Sequence, residues 1–175
     1  MEKKKLLSII VICVVLPTLF LISTKFVNKE SGGTGTYNDQ TAQFIHEDPS
    51  RTLASLKAKK SGIYYFGFPS CPWCQELLPV FNTVLKKNKL KAYVVDTRSS
   101  AYTSKDNIVL EQFFIHYINK KRLVVPLIIM INHDGKIKNH IATVPGHNAE
   151  MKKMTSSQKR KLEVELNQMC IWYKN

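Results

Sequence analysis

The chain has 175 residues, 44% of them hydrophobic, with 26 basic and 13 acidic side chains and a formal net charge of +13. This composition excludes a disordered polymer, and the length suits one domain with a real core once an N-terminal segment is set aside. The basic residues are scattered over helix ends and polar faces and no nucleic-acid motif accompanies them, so nucleic acid is not expected as a partner.

Lys3, Lys4 and Lys5 precede an uncharged apolar run of 17 residues from Leu6 to Ile22. That is the short edge of a membrane span of about 17–25 residues, and longer than the roughly 7–15 of a signal-peptide core. No small-x-small cleavage site follows in Ser23-Thr24-Lys25-Phe26. The expectation is an uncleaved signal anchor over residues 1–24, crossing the cell membrane once through residues 6–22, with the lysines inside and the rest extracytoplasmic. A cleaved, secreted form is the alternative. Cys13 follows the bulky pair Val11-Ile12, so it reads as an apolar membrane residue and not as a lipid-modified one. Residues 25–48 form a tether and lead-in, flexible at Ser31-Gly32-Gly33-Thr34-Gly35-Thr36. Beyond residue 30 the net charge is still +10, which an anionic membrane or envelope polymer would attract.

Residues 49–175 make up the folded domain. A short helix is expected from Pro49 to Lys60 with Leu53 and Leu56 inward, then a strand over 62–68. A helix over 72–88 carries Cys74, Leu77, Leu78, Phe81, Val84 and Leu85 on one face, with Pro79 inside it. Residues 91–96 read as a buried strand, and Asn107 to Asn119 as a helix with Leu110, Phe113, Phe114 and Tyr117 inward. Leu127 to Ile131 suits a central strand, Asn132-His133-Asp134-Gly135 a hairpin turn, and Lys136 to Ala142 the returning strand. The last helix spans Thr155 to Tyr173, with Leu162, Leu166, Met169, Cys170 and Tyr173 inward. Two strands alternating with helices, then a hairpin, imply an α/β fold with a mixed central sheet and helices on both faces.

The chemistry lies in Phe68-Pro69-Ser70-Cys71-Pro72-Trp73-Cys74, between the first strand and its helix. A thiol at a helix N-terminus meets unpaired backbone N–H groups and the positive end of the macrodipole, which lowers its pKa below the free value of about 8.5. Pro72 suits the first helical turn, and Cys74 lies one turn on, within reach of a reversible disulfide. Cys71 is therefore expected as the exposed nucleophile and Cys74 as the resolving thiol. Pro72 and Trp73 offer no charge partner, so the helix terminus must supply most of the acidity.

The element order and the Cys71-Pro72-Trp73-Cys74 motif resemble the thioredoxin fold. Pro79, five residues after the second cysteine, matches the family's helix-kinking proline. Val125-Pro126 before a strand matches its cis-proline, and Gly146 its glycine on the groove rim. The resemblance covers about residues 50–173. It implies a redox-active disulfide between Cys71 and Cys74 and a substrate groove formed by Trp73, Pro72, Val125, Pro126 and Gly146. More narrowly, an anchored chain with Phe66-Gly67-Phe68-Pro69-Ser70-Cys71-Pro72-Trp73-Cys74 resembles the bacteriocin transport accessory proteins of Gram-positive bacteria, thought to help disulfides form in secreted peptides. Tyr65 stands where thioredoxins often carry a buried acid, and Ser70 where an aromatic residue is usual. Glu76 or a bound water is then the candidate to take the second thiol's proton.

No cofactor is implied. One CxxC and five unclustered histidines do not make a closed zinc site, and Gln75 after Cys74 excludes c-type haem attachment. Cys170 reads as an inert core thiol. The expected function is an anchored extracytoplasmic thiol–disulfide oxidoreductase acting on secreted peptide or protein thiols and disulfides. The alternatives are a reductant of envelope thiols of the cytochrome-maturation type, fed by a membrane redox partner, and a non-catalytic peptide-binding or export accessory module.

Overall fold

The computed structural model describes residues 37–118 and 122–175. The expected anchor and most of the tether lie outside the described residues. Among the described residues no helix is long and apolar enough to cross a membrane. The elements are β1 (Phe44–His46), α1 (Pro49–Lys57), β2 (Gly62–Gly67), α2 (Pro72–Asn88), β3 (Ala92–Asp96), α3 (Ser104–Ile118), β4 (Leu127–Ile131), β5 (Ile137–Ile141) and α4 (Ser156–Lys174).

The sheet runs β1-β3-β2-β4-β5. β3 pairs in parallel with β1 and β2, whereas β4 pairs antiparallel with β2 and β5. The result is an α/β fold with a mixed sheet flanked by helices. Period-two alternation sorts the central strands into two cores. Ile63, Tyr65, Ile128 and Met130 join Leu77, Phe81 and Val84 of α2 and Leu162 and Leu166 of α4 on one face. Tyr64, Phe66, Leu127, Ile129 and Ile131 join Leu53 of α1 and Leu110, Phe113 and Phe114 of α3 on the other. β2 and β4 are covered on both sides, which is why their sequences are continuous apolar runs.

Local chemistry sets the helix ends. The Asp48 carboxylate accepts the Arg51 N–H at 3.1 Å, with Pro49 behind it in the first turn of α1. Lys59 then adopts a left-handed φ of 53°, so α1 stops at Lys57, short of the expected Lys60. Thr155 and Gln158 form a reciprocal capping box that starts α4. α3 begins three residues before the expected Asn107, because Thr103 and Asp106 exchange hydrogen bonds at 2.8 and 3.3 Å. The pattern is a capping box with aspartate in the acidic position. Tyr117, expected inward, is 42% exposed near the end of α3, its ring 4.6 Å from that of Phe113.

The strand β1 was not expected. It lies in the segment read as lead-in, and three residues are too few for a periodic signal. Phe44 is buried opposite Ala92 and packs its ring 6.1 Å from that of Phe81, which ties this segment into the α2 side of the core.

α2 and α4 pack side by side, and Asn88 Nδ2 donates to Asn167 Oδ1 at 2.8 Å across their seam. Leu166, fully buried there, is expected to cost about 2–5 kcal/mol in urea denaturation when changed to Ala. Val164→Ala on the same helix, at 55% exposure, should change stability by no more than about 0.5 kcal/mol.

Candidate active site

The chain leaves the sheet at Gly67, and no side chain fits there: a Cβ would meet Cys74 Sγ at 2.9 Å and crowd the Tyr65 hydroxyl. A tight turn follows. The Cys71 N–H donates to the Phe68 carbonyl at 3.2 Å, and Gln75 Nε2 to the Pro69 carbonyl at 2.8 Å. Cys71 is then the N-cap of α2, with φ −81° and ψ 117°, and its Sγ accepts the Cys74 N–H at 3.3 Å. Pro72 occupies the first helical turn, where its missing N–H leaves nothing unsatisfied. The sulfur thus takes the place that a capping oxygen takes in an ordinary helix.

The two thiols are driven in opposite directions. The Cys71 thiol is pulled down to about 7, first by the hydrogen bond from the Cys74 thiol, then by the backbone N–H groups of Cys74 and Trp73 and the charge of Arg98; burial opposes these. The Cys74 thiol is pushed far above its ordinary value, first because it donates to Cys71 and then because it is buried. The first negative charge that the pair acquires as pH rises through neutrality therefore sits mainly on Cys71.

Cys71 is less open than expected, with only 5% of its surface exposed against 0% for Cys74. Folding the sulfur back to cap the helix turns it inward. The order of accessibility is as expected, but Cys71, expected to be exposed, is buried.

Arg98 is the charge partner that the motif itself lacks. It follows β3, whose C-terminal end lies beside that of β2 in the parallel pair. The Thr97 N–H donates to the Gly67 carbonyl at 2.9 Å, the Arg98 N–H to Asp96 Oδ1 at 2.8 Å, and the guanidinium lies 3.6 Å from the Phe68 ring centroid. Because ligands of α/β sheets bind at the carboxyl ends of strands, the residues just after β3 were the place to look.

Register places the expected groove residues at this same end of the sheet. The Val125–Pro126 bond is cis. Leu127 pairs with Phe66, so buried Pro126 lies level with Gly67 beside the start of the motif. The Ala142 N–H donates to the Pro126 carbonyl at 2.9 Å and leads to Gly146, which is exposed with φ 79°. His147 fixes that loop, bonded to Thr143 Oγ1 at 2.7 Å and to the Lys152 carbonyl at 2.8 Å. Pro72, Trp73 and Val125 are half-buried. Glu76, the candidate proton acceptor, is committed elsewhere: its Oε2 accepts the Met154 N–H at 2.9 Å, and it is not among the groups that act on Cys74. Among the described residues no cluster of His, Cys, Asp or Glu could hold a metal ion, and Cys170 is buried in the α2–α4 core.

No protein-family model matches the chain, and no curated protein is significantly similar to it. Arg98→Ala is expected to raise the pH at which Cys71 alkylation is half-maximal. Because Arg98 is exposed, the difference from the unaltered protein should shrink at high ionic strength, as read from alkylation rates across pH in low and high salt.

Proposed function

We propose that this protein is a thioredoxin-like, extracytoplasmic thiol–disulfide oxidoreductase, tethered to the membrane by its N-terminal segment. Cys71 and Cys74 are its redox pair, and it assists disulfide formation or isomerisation in secreted peptides such as bacteriocins. One observation carries the chemistry: the Cys71 sulfur caps a helix N-terminus and accepts the Cys74 N–H at 3.3 Å, with a thiol lowered to about 7. A lowered thiol is both the better-populated nucleophile at neutral pH and the better leaving group. The mixed sheet flanked by helices, with a cis-proline level with the motif, is compatible with a thioredoxin-like fold.

In the oxidising direction a substrate thiolate attacks Cys71 Sγ of the disulfide form, releasing Cys74 as thiolate, which takes up a proton. A second substrate thiolate then displaces Cys71, and the substrate leaves with the new disulfide while the pair keeps the two electrons. In the reducing direction the Cys71 thiolate attacks a substrate disulfide, and Cys74 resolves the intermediate. The backbone at Val125, just before Pro126, suits an extended peptide added in the manner of a strand. The membrane tether and the exterior setting rest on Lys3–Lys5 and the apolar run of residues 6–22.

Cys71→Ser is expected to abolish oxidation of a reduced dithiol peptide, whereas Cys74→Ser should accumulate covalent mixed disulfides, as read by non-reducing electrophoresis. Retained activity in Cys71→Ser would remove the enzyme reading and leave a binding module. Equilibration with glutathione separates the directions: a potential near about −120 mV marks an oxidant and one near about −270 mV a reductant.

A further inference from the structure

Tyr65 is fully buried in the α2–α4 core, yet its hydroxyl has no hydrogen-bond partner. Buried hydroxyls are normally satisfied, so an orphan at this depth calls for a reason. Its position supplies one. Tyr65 and Gly67 share a face of β2, and the Tyr65 hydroxyl and Cys74 Sγ both lie within 3 Å of where a Gly67 Cβ would stand. The bare glycine is what lets phenol and sulfur approach each other.

We infer that the Tyr65 hydroxyl is a side-chain donor that, beside the Phe68 N–H, stabilises the Cys74 thiolate while that thiolate resolves a mixed disulfide on Cys71. The inference rests on the redox reading above and deepens it.

In the resting dithiol the Cys74 thiol gives its proton to a hydrogen bond with Cys71, so the charge that the Tyr65 hydroxyl favours on Cys74 is not developed. When Cys71 is locked in a disulfide with substrate, that acceptor is gone. Cys74 must lose its proton to water, attack Cys71 Sγ, form the internal disulfide and expel the substrate as thiolate, which is then protonated. During that step the Cys74 sulfur is a buried anion. In the dithiol two groups favour the charged form of Cys74, first the Phe68 N–H and then the Tyr65 hydroxyl, and both remain when Cys71 is engaged by substrate. Tyr37 lies beside Tyr65, their ring centroids 6.4 Å apart, and the charges of Asp39 and Asp96 act on Tyr37; Arg98 acts on Cys71. Burial and the neighbouring cysteines hold the Tyr65 phenol well above its ordinary pKa, so it stays protonated and donates; it does not act as a base.

A donor that matters most while Cys74 is an anion affects the rate of resolution more than the equilibrium, and this separates the role from mere packing. Reduced full-length protein is mixed with dithiobisnitrobenzoate, which releases one thionitrobenzoate when Cys71 attacks and a second when Cys74 resolves; Cys74→Ser identifies the second phase by losing it. Tyr65→Phe is expected to slow the second phase about three- to tenfold at neutral pH and move its half-maximal pH upward. The first phase and the equilibrium constant with glutathione should stay within about twofold. Tyr64→Phe makes the same chemical change on the opposite face, where the hydroxyl donates to the Lys60 carbonyl at 2.9 Å, and should leave both phases alone. An unchanged second phase in Tyr65→Phe overturns the inference, as does equal slowing of both phases. Absence of a second phase in the unaltered protein overturns the redox reading itself, and the role of Tyr65 with it.

Discussion

The Cys74 N–H that donates to Cys71 Sγ at 3.3 Å is the contact on which the rest of the site depends. It makes the cysteine a helix cap, and capping is what brings the sulfur into the field of the first-turn N–H groups. A hydrogen bond to a charged acceptor contributes about 1.5–3 kcal/mol, the equivalent of one to two pK units. The hydrogen bond from the Cys74 thiol is the largest pull on Cys71, and the helix-tip N–H contacts add to it to lower the thiol to about 7. Arg98 is solvent-exposed, and an exposed charge adds less than about 1 kcal/mol, so it adjusts the acidity without setting it.

The same contact explains the asymmetry of the pair. Turning Cys71 back over the helix leaves it a narrow opening, while Cys74 and its backing residues are sealed beneath a sheet covered on both faces. A recessed sulfur is open to a partner only along a restricted path, and the hydrogen bond to Cys71 together with burial holds the Cys74 thiol protonated. The arrangement carries a cost. Two phenols, Tyr37 and Tyr65, are buried without partners, and an unsatisfied buried hydroxyl costs about 1–3 kcal/mol. Such local conflict gathers at functional sites, where the surrounding packing holds it in place.

Much of this was legible from residue order. Ile63–Gly67 and Leu127–Ile131 read as central strands because burial on both faces removes the polar alternation of a half-exposed strand. The spacing of Leu77, Leu78, Phe81, Val84 and Leu85 defined the inner face of α2, and the CxxC motif at its start located the site. What escaped notice depended on contacts between distant segments. Phe44–His46 is a strand only because β3 offers it an edge, and Arg98 approaches Cys71 only because β2 and β3 run parallel. Asp106 starts α3 through a capping pattern in which glutamate would have been the more visible residue. The depth of Tyr65 was open to reading, since it shares its strand face with Gly67, but its lack of a partner could not be read from one strand.

The most direct test of the account is an ultraviolet titration of thiolate absorbance in the reduced protein, compared with Cys71→Ser. The account predicts a step centred at about pH 7 that vanishes in the variant, with no step from Cys74 in the same range. A first step at the free-thiol value of about 8.5, or one that persists without Cys71, would contradict it.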